Sequence, residues 1–420
     1  MTMCESEKKK IALIGIGMGG GNGATMTAEA AAFCREAGLL IGARRMLESV
    51  PDAGGRRVAE YRAAEIAGLI EDAPENRIAV LLSGDIGFFS GAKKLLDLLP
   101  DDVQVFAGIS SVVYFCSRLH MAWDDAVITS SHGRRCNLIG EIRRSAKVFS
   151  ILGTGDAVQT LCRKLVYYGM TDVHIYIGED LSYPEEKILD GMPQDFLDYT
   201  GSALSVVMAV NPAPVKVITH GIPDEAFLRD KVPMTKEEVR EISVSKLRLT
   251  EDAVVYDVGA GSGSVTVEMA LQACQGQVYA IEKNPAAVEL LGRNRQRFCA
   301  DNLEIIEGMA PEAMEELPAP THAFIGGSSG NLKQILECLL RKNPEIRVVV
   351  NAITLETVGE ALSALAALPF ENVDIAAVSV AKSKEIGRYH MMLGQNPVYV
   401  IAASGQKPGE GAEAPEGDAG

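Results

Sequence analysis

The sequence predicts an α/β protein made of two domains. Three observations carry that expectation. Apolar runs of β character alternate with helical stretches in both halves of the chain. Each half contains a glycine-rich turn between a strand and a helix. Pro212, Pro214 and Pro223 fall between the halves and break periodic structure there.

The bulk properties agree with this. A chain of 420 residues has room for two to three domains. Its hydrophobic content of 47% is ample for packed cores. No apolar run reaches the length of a membrane span, and the start, MTMCESEKKK, is polar. Neither a membrane partner nor a signal peptide is expected. The eight cysteines form no C-x-x-C pair, so reduced thiols and a cytoplasmic location are expected. The six histidines show no metal-ligand spacing, and no metal is expected. A formal net charge of −16 argues against a nucleic-acid partner held by counterion release.

The first half reads as follows. Residues 11–16, IALIGI, are an apolar strand, followed by Gly17-Met18-Gly19-Gly20-Gly21-Asn22-Gly23 and a helix over about 27–37. Residues 78–82 are a strand that runs into SGDIGFFS, which contains Gly84 and Asp85. A strand at 103–106 leads into Ala107-Gly108-Ile109-Ser110-Ser111 and a helix to about 119. A strand near 126–130 leads into Ser131-His132-Gly133-Arg134. A short helix precedes a strand at 148–152, which includes Leu152 and ends in Gly153-Thr154-Gly155-Asp156. A helix over 157–168 and a strand over 173–177 complete the series. The alternation implies a largely parallel sheet, with ligands at the loops that follow its strands.

Residues 211–235 change character and read as a linker followed by a leading segment. Thr235 as N-cap and Glu238 at the third helical position form a capping box for a helix over 236–247.

The second half is organised around VVYDVGAGSGSVTVEMALQACQGQVYAIEK, residues 254–283. Strand 254–258 contains Asp257. The turn Gly259-Ala260-Gly261-Ser262-Gly263 follows, then helix 265–273 and strand 278–281, which ends in Glu282. Glycines let backbone N–H groups approach a ligand at the positive end of a helix. An acid at the tip of the second strand can accept both ribose hydroxyls of an adenosine. A dinucleotide fold requires G-x-G-x-x-G, and Ser264 stands where the last glycine would be. The turn G-x-G-x-G, preceded by Asp257, resembles instead the first motif of Rossmann-like S-adenosylmethionine (SAM) methyltransferases. Beyond it lie a helix from Pro285 to about 299, a strand at 303–306 and the turn Gly308-Met309-Ala310-Pro311. Strands at 322–325, 346–353, 373–380 and 397–403 bring the count to the seven of a SAM-methyltransferase sheet. Residues 405–420 are polar and are expected to be a disordered tail.

Longer motifs sharpen the resemblance. GIGMGGGNGATMTAEA, SGDIGFFSGAKKL, AGISSVVYFCSRLHMAWDDAVITSSHGR and GTGDAVQTLCRKL, in that order, resemble the tetrapyrrole (class III) methyltransferases, in the branch acting on precorrin-6Y or its cobalt form. PMTKEEVR, DVGAGSGSVTVE, YAIEKNP, GMAPEA, FIGGSSGNL and GRYHMMLGQNPVYV are similar to the decarboxylating C15-methyltransferases of the same pathway. The resemblance implies an N-terminal tetrapyrrole-methylase-like α/β domain over residues 1–212, for C5 methylation. It implies a C-terminal Rossmann-like seven-stranded domain over 213–404, for C15 methylation and loss of CO₂ from the C12 acetate. The implied pathway is cobalamin biosynthesis, with a small-molecule tetrapyrrole as substrate and a homo-oligomer as the assembly. Met18 departs from the family's usual proline, and Met309 from its common acid.

Two SAM sites are therefore expected, since the two glycine units have different flanking motifs. Gly17, Met18, Gly19, Gly84, Asp85, Ser110, Ser111 and Leu152 are the cofactor candidates of the first. Thr235, Asp257, Gly259, Ala260, Gly261, Ser262, Gly263, Glu282, Met309 and Ala310 are those of the second. Methyl transfer to an electron-rich carbon needs alignment and exclusion of water more than a strong base, so no triad is expected. A polycarboxylate substrate calls for basic contacts. His132, Arg134, Arg229, Arg388 and His390 are the candidates, with Arg135, Lys231, Arg240, Lys382 and Lys384 nearby in loops or at motif edges. Competing readings are a methyltransferase on another tetrapyrrole with one domain acting only as a SAM-binding module, and an NAD oxidoreductase.

Overall fold

Strands that are apolar on both faces suit a parallel sheet covered on both sides. The computed structural model describes residues 8–18, 25–133 and 136–406, and it opens on such a sheet. Its elements are β1 (Lys10–Gly15), α1 (Ala28–Glu36), β2 (Leu39–Gly42), α2 (Arg44–Glu48), β3 (Arg56–Ala59), α3 (Ala63–Asp72), β4 (Arg77–Leu82), α4 (Ala92–Leu96) and β5 (Gln104–Phe106). The strand order is β3-β2-β4-β1-β5, and every pair is parallel. Alternate residues of β1 point to opposite faces. Ala12 and Ile14 pack with Phe33 and Cys34 of α1, whereas Ile11 and Leu13 pack with Ile66 and Ile70 of α3. Thr27 caps α1 by accepting the Ala30 N–H at 3.2 Å.

The chain continues through α5 (Ser111–Arg118), β6 (Val127–Ser130), α6 (Leu138–Arg144), β7 (Lys147–Ile151), α7 (Ala157–Tyr167), β8 (His174–Glu179), β9 (Lys187–Gly191) and β10 (Ser205–Val210). Their sheet has the order β6-β7-β10-β8-β9. It corrects the expectation of largely parallel pairing. Only β6 and β7 run parallel, and the three other pairs are antiparallel. The reason is local. β8 returns directly as β9 without a crossover helix, and β10 then inserts between β7 and β8.

The chain divides into two compact units, residues 1–138 with 145–214, and 139–144 with 215–420. The second contains α8 (Glu237–Leu247), β11 (Val254–Val258), α9 (Ser264–Gln272), β12 (Gln277–Glu282), α10 (Pro285–Arg297), β13 (Leu303–Glu307), β14 (His322–Ile325), α11 (Leu332–Lys342), β15 (Arg347–Ala352), α12 (Leu355–Ala367), β16 (Phe370–Val378), β17 (Ala381–Ile386), β18 (Tyr389–Gly394) and β19 (Val398–Gly405). Seven strands form one sheet, ordered β13-β12-β11-β14-β15-β19-β16. β19 is antiparallel to both its neighbours, and the other pairs are parallel. The order reverses between β11 and β14. A crevice therefore opens beyond the carboxyl ends of those two strands. Val255 and Val278 face α8, α9 and α10, whereas Tyr256 and Tyr279 face α11 and α12.

Three local expectations are corrected. The N-cap of α8 is Lys236, not Thr235, and no side chain of that turn caps it. Asp224 takes the role from upstream, accepting the Glu237 N–H at 3.0 Å. The hairpin β17–β18 adds two exposed strands outside the seven-stranded sheet. The tail expected from 405 starts later, since Gly405 ends β19 and donates to the Ile346 carbonyl at 2.8 Å. The remainder, 407–420, lies outside the described residues.

Candidate functional site

The turn between β11 and α9 needs its three glycines for three different reasons. Gly259, Gly261 and Gly263 have φ of +73°, +56° and +78°, a region that side chains disfavour. A β-carbon on Gly259 would stand 2.7 Å from the Gly327 carbonyl oxygen. One on Gly263 would stand 2.8 Å from Leu291 Cγ. Gly261 has no contact under 3.4 Å, so there the backbone angle and the open cavity are the constraints. The Gly259 and Ala260 N–H groups both donate to the Ile281 carbonyl, at 3.0 and 3.3 Å.

Glu282 ends β12 and holds this turn. Its carboxylate accepts from the N–H groups of Gly261 at 2.8 Å, Lys283 at 2.9 Å and Asn284 at 2.8 Å. A carboxylate has about four acceptor sites, so one remains for a ligand hydroxyl. Asp257 lies beneath the turn and is fully buried. Thr266 Oγ1 donates to its Oδ2, and Oδ1 has no partner. Burial raises its carboxyl to about 7; the Thr266 bond opposes that rise and the charge of Glu282 adds to it. Asn294 was not among the expected residues. It is buried in α10 and donates to the carbonyls of Ser262 at 2.9 Å and Leu228 at 3.2 Å. It thereby fastens the turn to the leading segment. No sequence signal marks this, because an asparagine within a helix reads as an ordinary surface residue.

A cavity of about 730 Å³ opens over the turn. Thr235, Gly259, Ala260, Gly261, Ser262, Glu282, Met309 and Ala310 line it, while Asp257 and Gly263 support it from below. Backbone donors, one anchored carboxylate and the apolar groups Val265, Ile281 and Met309 fit a nucleoside with a charged amino-acid arm. The opposite wall carries Asn351, Ile353, Val380, Gln395, Asn396 and Val398.

The basic candidates are not gathered there. Arg240 is fully buried, not a ligand contact. Its Nε donates to Glu268 at 2.7 Å and its Nη1 to Asp224 at 3.1 Å and the Thr235 carbonyl at 2.7 Å. Arg229 turns to the Asp224 carbonyl at 3.3 Å. Lys231 is exposed. Lys382, Lys384, Arg388 and His390 lie on the exposed hairpin or its turn, with Lys382 2.6 Å from Glu238 and Arg388 donating to Tyr389. Lys236 and Lys283, neither of them expected, are the cations on the cavity wall among the described residues.

The first unit builds its own site where three loops meet. A β-carbon on Gly108 would lie 2.1 Å from the Gly84 carbonyl oxygen, so these loops touch backbone to backbone. Gly17 donates to the Gly84 carbonyl at 3.1 Å, and Met18 to that of Ile109 at 2.9 Å. Asp85 accepts from Gly87 at 2.8 Å and Gly108 at 3.2 Å. Ser110 caps α5. A cavity of about 310 Å³ is lined by Met18, Gly84, Asp85, Ser111, Leu152 and His132. Arg45 and Tyr183 also line it, as does Ser205, whose buried Oγ has no partner. Gly17 and Ser110 stand behind this wall. Gly19, Arg134 and Arg135 lie outside the described residues.

A crevice at the reversal of strand order, with a glycine turn and an anchored acid at its edge, is the cofactor end of a SAM-dependent methyltransferase. Comparison with known proteins narrows the class. Residues 12–195 match the family model described as Tetrapyrrole (Corrin/Porphyrin) Methylases, and residues 225–404 match the Precorrin methyltransferase domain. The chain is 42% identical over 195 residues to a probable cobalt-precorrin-6B C(15)-methyltransferase (decarboxylating) of Sulfurisphaera tokodaii, covering 45% of this chain and 98% of that protein. It is 41% identical over 181 residues to the cobalt-precorrin-6B C(15)-methyltransferase (decarboxylating) of Salmonella typhimurium, covering 43% and 93%. A crystal structure of a precorrin-6Y C5,15-methyltransferase from Geobacter metallireducens is 39% identical, covers 45% of this chain and all of its own, and superposes with a TM-score of 0.43. The chain belongs to the precorrin methyltransferases, with a decarboxylating C15-methyltransferase half joined to a tetrapyrrole methylase half. It is a SAM-dependent enzyme of cobalamin biosynthesis.

Proposed function

We propose that the enzyme acts on precorrin-6Y or its cobalt form, methylating C5 in the first unit and C15 in the second, where the C12 acetate also leaves as CO₂. The observation that carries this reading is the pair of separately built cavities, one in each unit, each floored by a glycine loop with an aspartate or glutamate tying it down. Two SAM molecules are bound per chain. When bound, SAM supplies an electrophilic methyl group on a sulfonium.

The residues supply position. Glu282 and the 259–263 backbone orient one cofactor, and Asp85 with the Gly84 and Met18 loops orients the other. Met309 and Ile281 exclude water beside the first of these. Lys236 in the second unit and Arg45 in the first give the carboxylates of the substrate a favourable field. The ring's own conjugation makes its meso carbons nucleophilic, so no side chain need remove a proton before methyl transfer.

The enzyme works in the cytoplasm as a homo-oligomer. The seven cysteines of the described residues, most of them buried, accord with a reducing compartment. The hairpin leaves Ile386, Tyr389, Met391, Met392 and Leu393 exposed, an apolar surface suited to a second copy. Mass spectrometry of products from SAM and the substrate tests the function. Two methyl groups gained and one CO₂ lost is the expected result, and a single methyl at saturating SAM would refute it.

A further inference from the structure

One side chain of the smaller cavity sits on a backbone conformation that it disfavours. Phe89 has φ of +48°, and among the described residues it is the one large apolar side chain with a left-handed backbone. A bulky residue there is an outlier, because its β-carbon crowds the following carbonyl oxygen. Glycine or asparagine meets that demand at less cost. The chain instead places an aromatic ring there, 38% exposed, on the wall of the cavity in the first unit.

The loop enforces this conformation from both sides. Asp85 accepts the Gly87 N–H on its side chain at 2.8 Å and the Phe88 N–H on its carbonyl at 3.3 Å. Ser90 Oγ donates to the Ile86 carbonyl and accepts the Ala92 N–H at 3.2 Å. Phe88 packs with the core of this unit, its ring centroid 6.0 Å from that of Phe149. Phe89 rests against Phe88, with centroids 5.0 Å apart and ring planes at 76°. The ring is therefore held in place at the cavity wall at the expense of backbone comfort. Strain maintained in this way collects at ligand clamps.

We propose that the Phe89 ring stacks on the conjugated macrocycle of the substrate and sets its plane for C5 methylation. This rests on the reading of the first unit given above. The cofactor end of the cavity is built from backbone, where the Gly17, Gly84 and Gly108 loops meet and Asp85 ties them. Those contacts need no aromatic side chain. The substrate is broad and conjugated, and its face offers what an aromatic ring binds best. Its carboxylates lie at the edge of the macrocycle, and the polar groups Arg45, His132 and Tyr183 of the same wall are left for them. Methyl transfer needs C5, the methyl carbon and the sulfur in line, and a tilt of the macrocycle takes C5 off that line. Phenylalanine fixes the plane without adding a charge or a competing nucleophile.

Phe89→Leu and Phe89→Asn in the full chain test this, with Phe89→Tyr as the control that keeps the ring. Leucine keeps the apolar bulk, and asparagine tolerates the left-handed backbone. Calorimetry with S-adenosylhomocysteine should give the wild-type stoichiometry and affinity in all three. Products from SAM and the precorrin substrate are resolved by mass, and one methyl gained with CO₂ lost marks substrate that escaped C5 methylation. In the Leu and Asn variants KM for C5 methylation should rise roughly fivefold or more. The Tyr variant should stay within about twofold of the wild type. A KM that does not move in the Leu and Asn variants, or that moves as far in the Tyr variant, would overturn the stacking role. Weaker S-adenosylhomocysteine binding in the Leu and Asn variants would put the ring on the cofactor, and loss of one site in both would make it structural; either result overturns the proposal. A wild-type enzyme that yields no C5-methylated product would remove the functional reading and this inference together. Normal wild-type C5 methylation with unmoved variants would remove the inference alone.

Discussion

Arg240 and Glu268, both fully buried, form an ion pair in which Nε donates to the carboxylate at 2.7 Å. The pair is the centre of a network. Glu268 also accepts from the N–H groups of Gly221 at 3.2 Å and Ile222 at 3.0 Å. Arg240 donates to the Ile222 carbonyl and to Asp224. These bonds fasten the segment before α8 onto the helices beneath the glycine turn.

Removing one partner leaves a buried charge uncompensated, which costs about 3–5 kcal/mol. Arg240→Leu should therefore destabilise the second unit by that amount. Adding Glu268→Leu should restore part of it, since the stranded carboxylate is then gone. Denaturant unfolding of the single and double variants measures both. A double variant no more stable than Arg240→Leu alone would contradict this account.

Asp257 makes stability depend on pH. Burial holds its carboxyl at about 7, whereas an unfolded aspartate titrates near 3.9. Between those values the folded chain keeps a proton that the unfolded chain gives up. The contribution of this group to stability is thus complete below about pH 4 and is lost as pH rises toward 7. Asp257→Asn does not titrate. Its stability relative to the wild type should climb over that range and level off above it, by on the order of 3–4 kcal/mol at most. Unfolding midpoints of the two proteins from about pH 5 to pH 8 read the difference. A difference that does not change with pH would show that Asp257 is not held protonated.

The glycine turn, Asp257 and Glu282 were legible in the sequence because each demand is local. A left-handed backbone at Gly259 or Gly263 requires glycine whatever lies elsewhere, and the acid falls at the end of the next strand. The network around Arg240 was not legible. Its partners Asp224 and Glu268 sit on separate segments, and an arginine beside two glutamates at a helix start reads as solvated surface. Asp224 displaces Thr235 as the cap for the same reason, since nothing local shows that an upstream carboxylate will reach the Glu237 N–H. The antiparallel insertion of β10 was hidden because its apolar run, 206–210, was not among the expected strands and carries no mark of its direction.

The proline-rich stretch is narrower than its composition suggests. From Ile222 onward the chain is held by Glu268 and Arg240, and Phe227 packs into the core. The stretch 212–220 has no helix or strand and is mostly exposed. Trypsin should cut after Lys216 and leave two resistant fragments, which mass spectrometry identifies. An early cut at Arg240 would contradict the anchored reading, since that bond is within a buried turn of α8.

The division of labour between the units gives the sharpest test. Gly261 faces the larger cavity with no atom closer than 3.4 Å to its would-be β-carbon, so Gly261→Arg should place a long cationic side chain where the cofactor sits. Glu282→Ala strands the Gly261, Lys283 and Asn284 N–H groups and removes the ribose acceptor. Loss of the charge-assisted bond to the ligand costs about 1.5–3 kcal/mol, or roughly 10–150-fold in affinity. Asp85→Arg does the corresponding damage in the smaller cavity, where Asp85 ties Gly87 to Gly108. Calorimetry with S-adenosylhomocysteine should give a stoichiometry near two for the wild type and near one for Gly261→Arg and for Asp85→Arg. Product masses should then separate the chemistries. The Gly261 and Glu282 variants should lose C15 methylation and decarboxylation while C5 methylation survives on a suitable intermediate. The Asp85 variant should lose C5 methylation alone and still release CO₂. If either single change in a folded protein stops both methylations, the two cavities serve one reaction centre, and one glycine loop is structural.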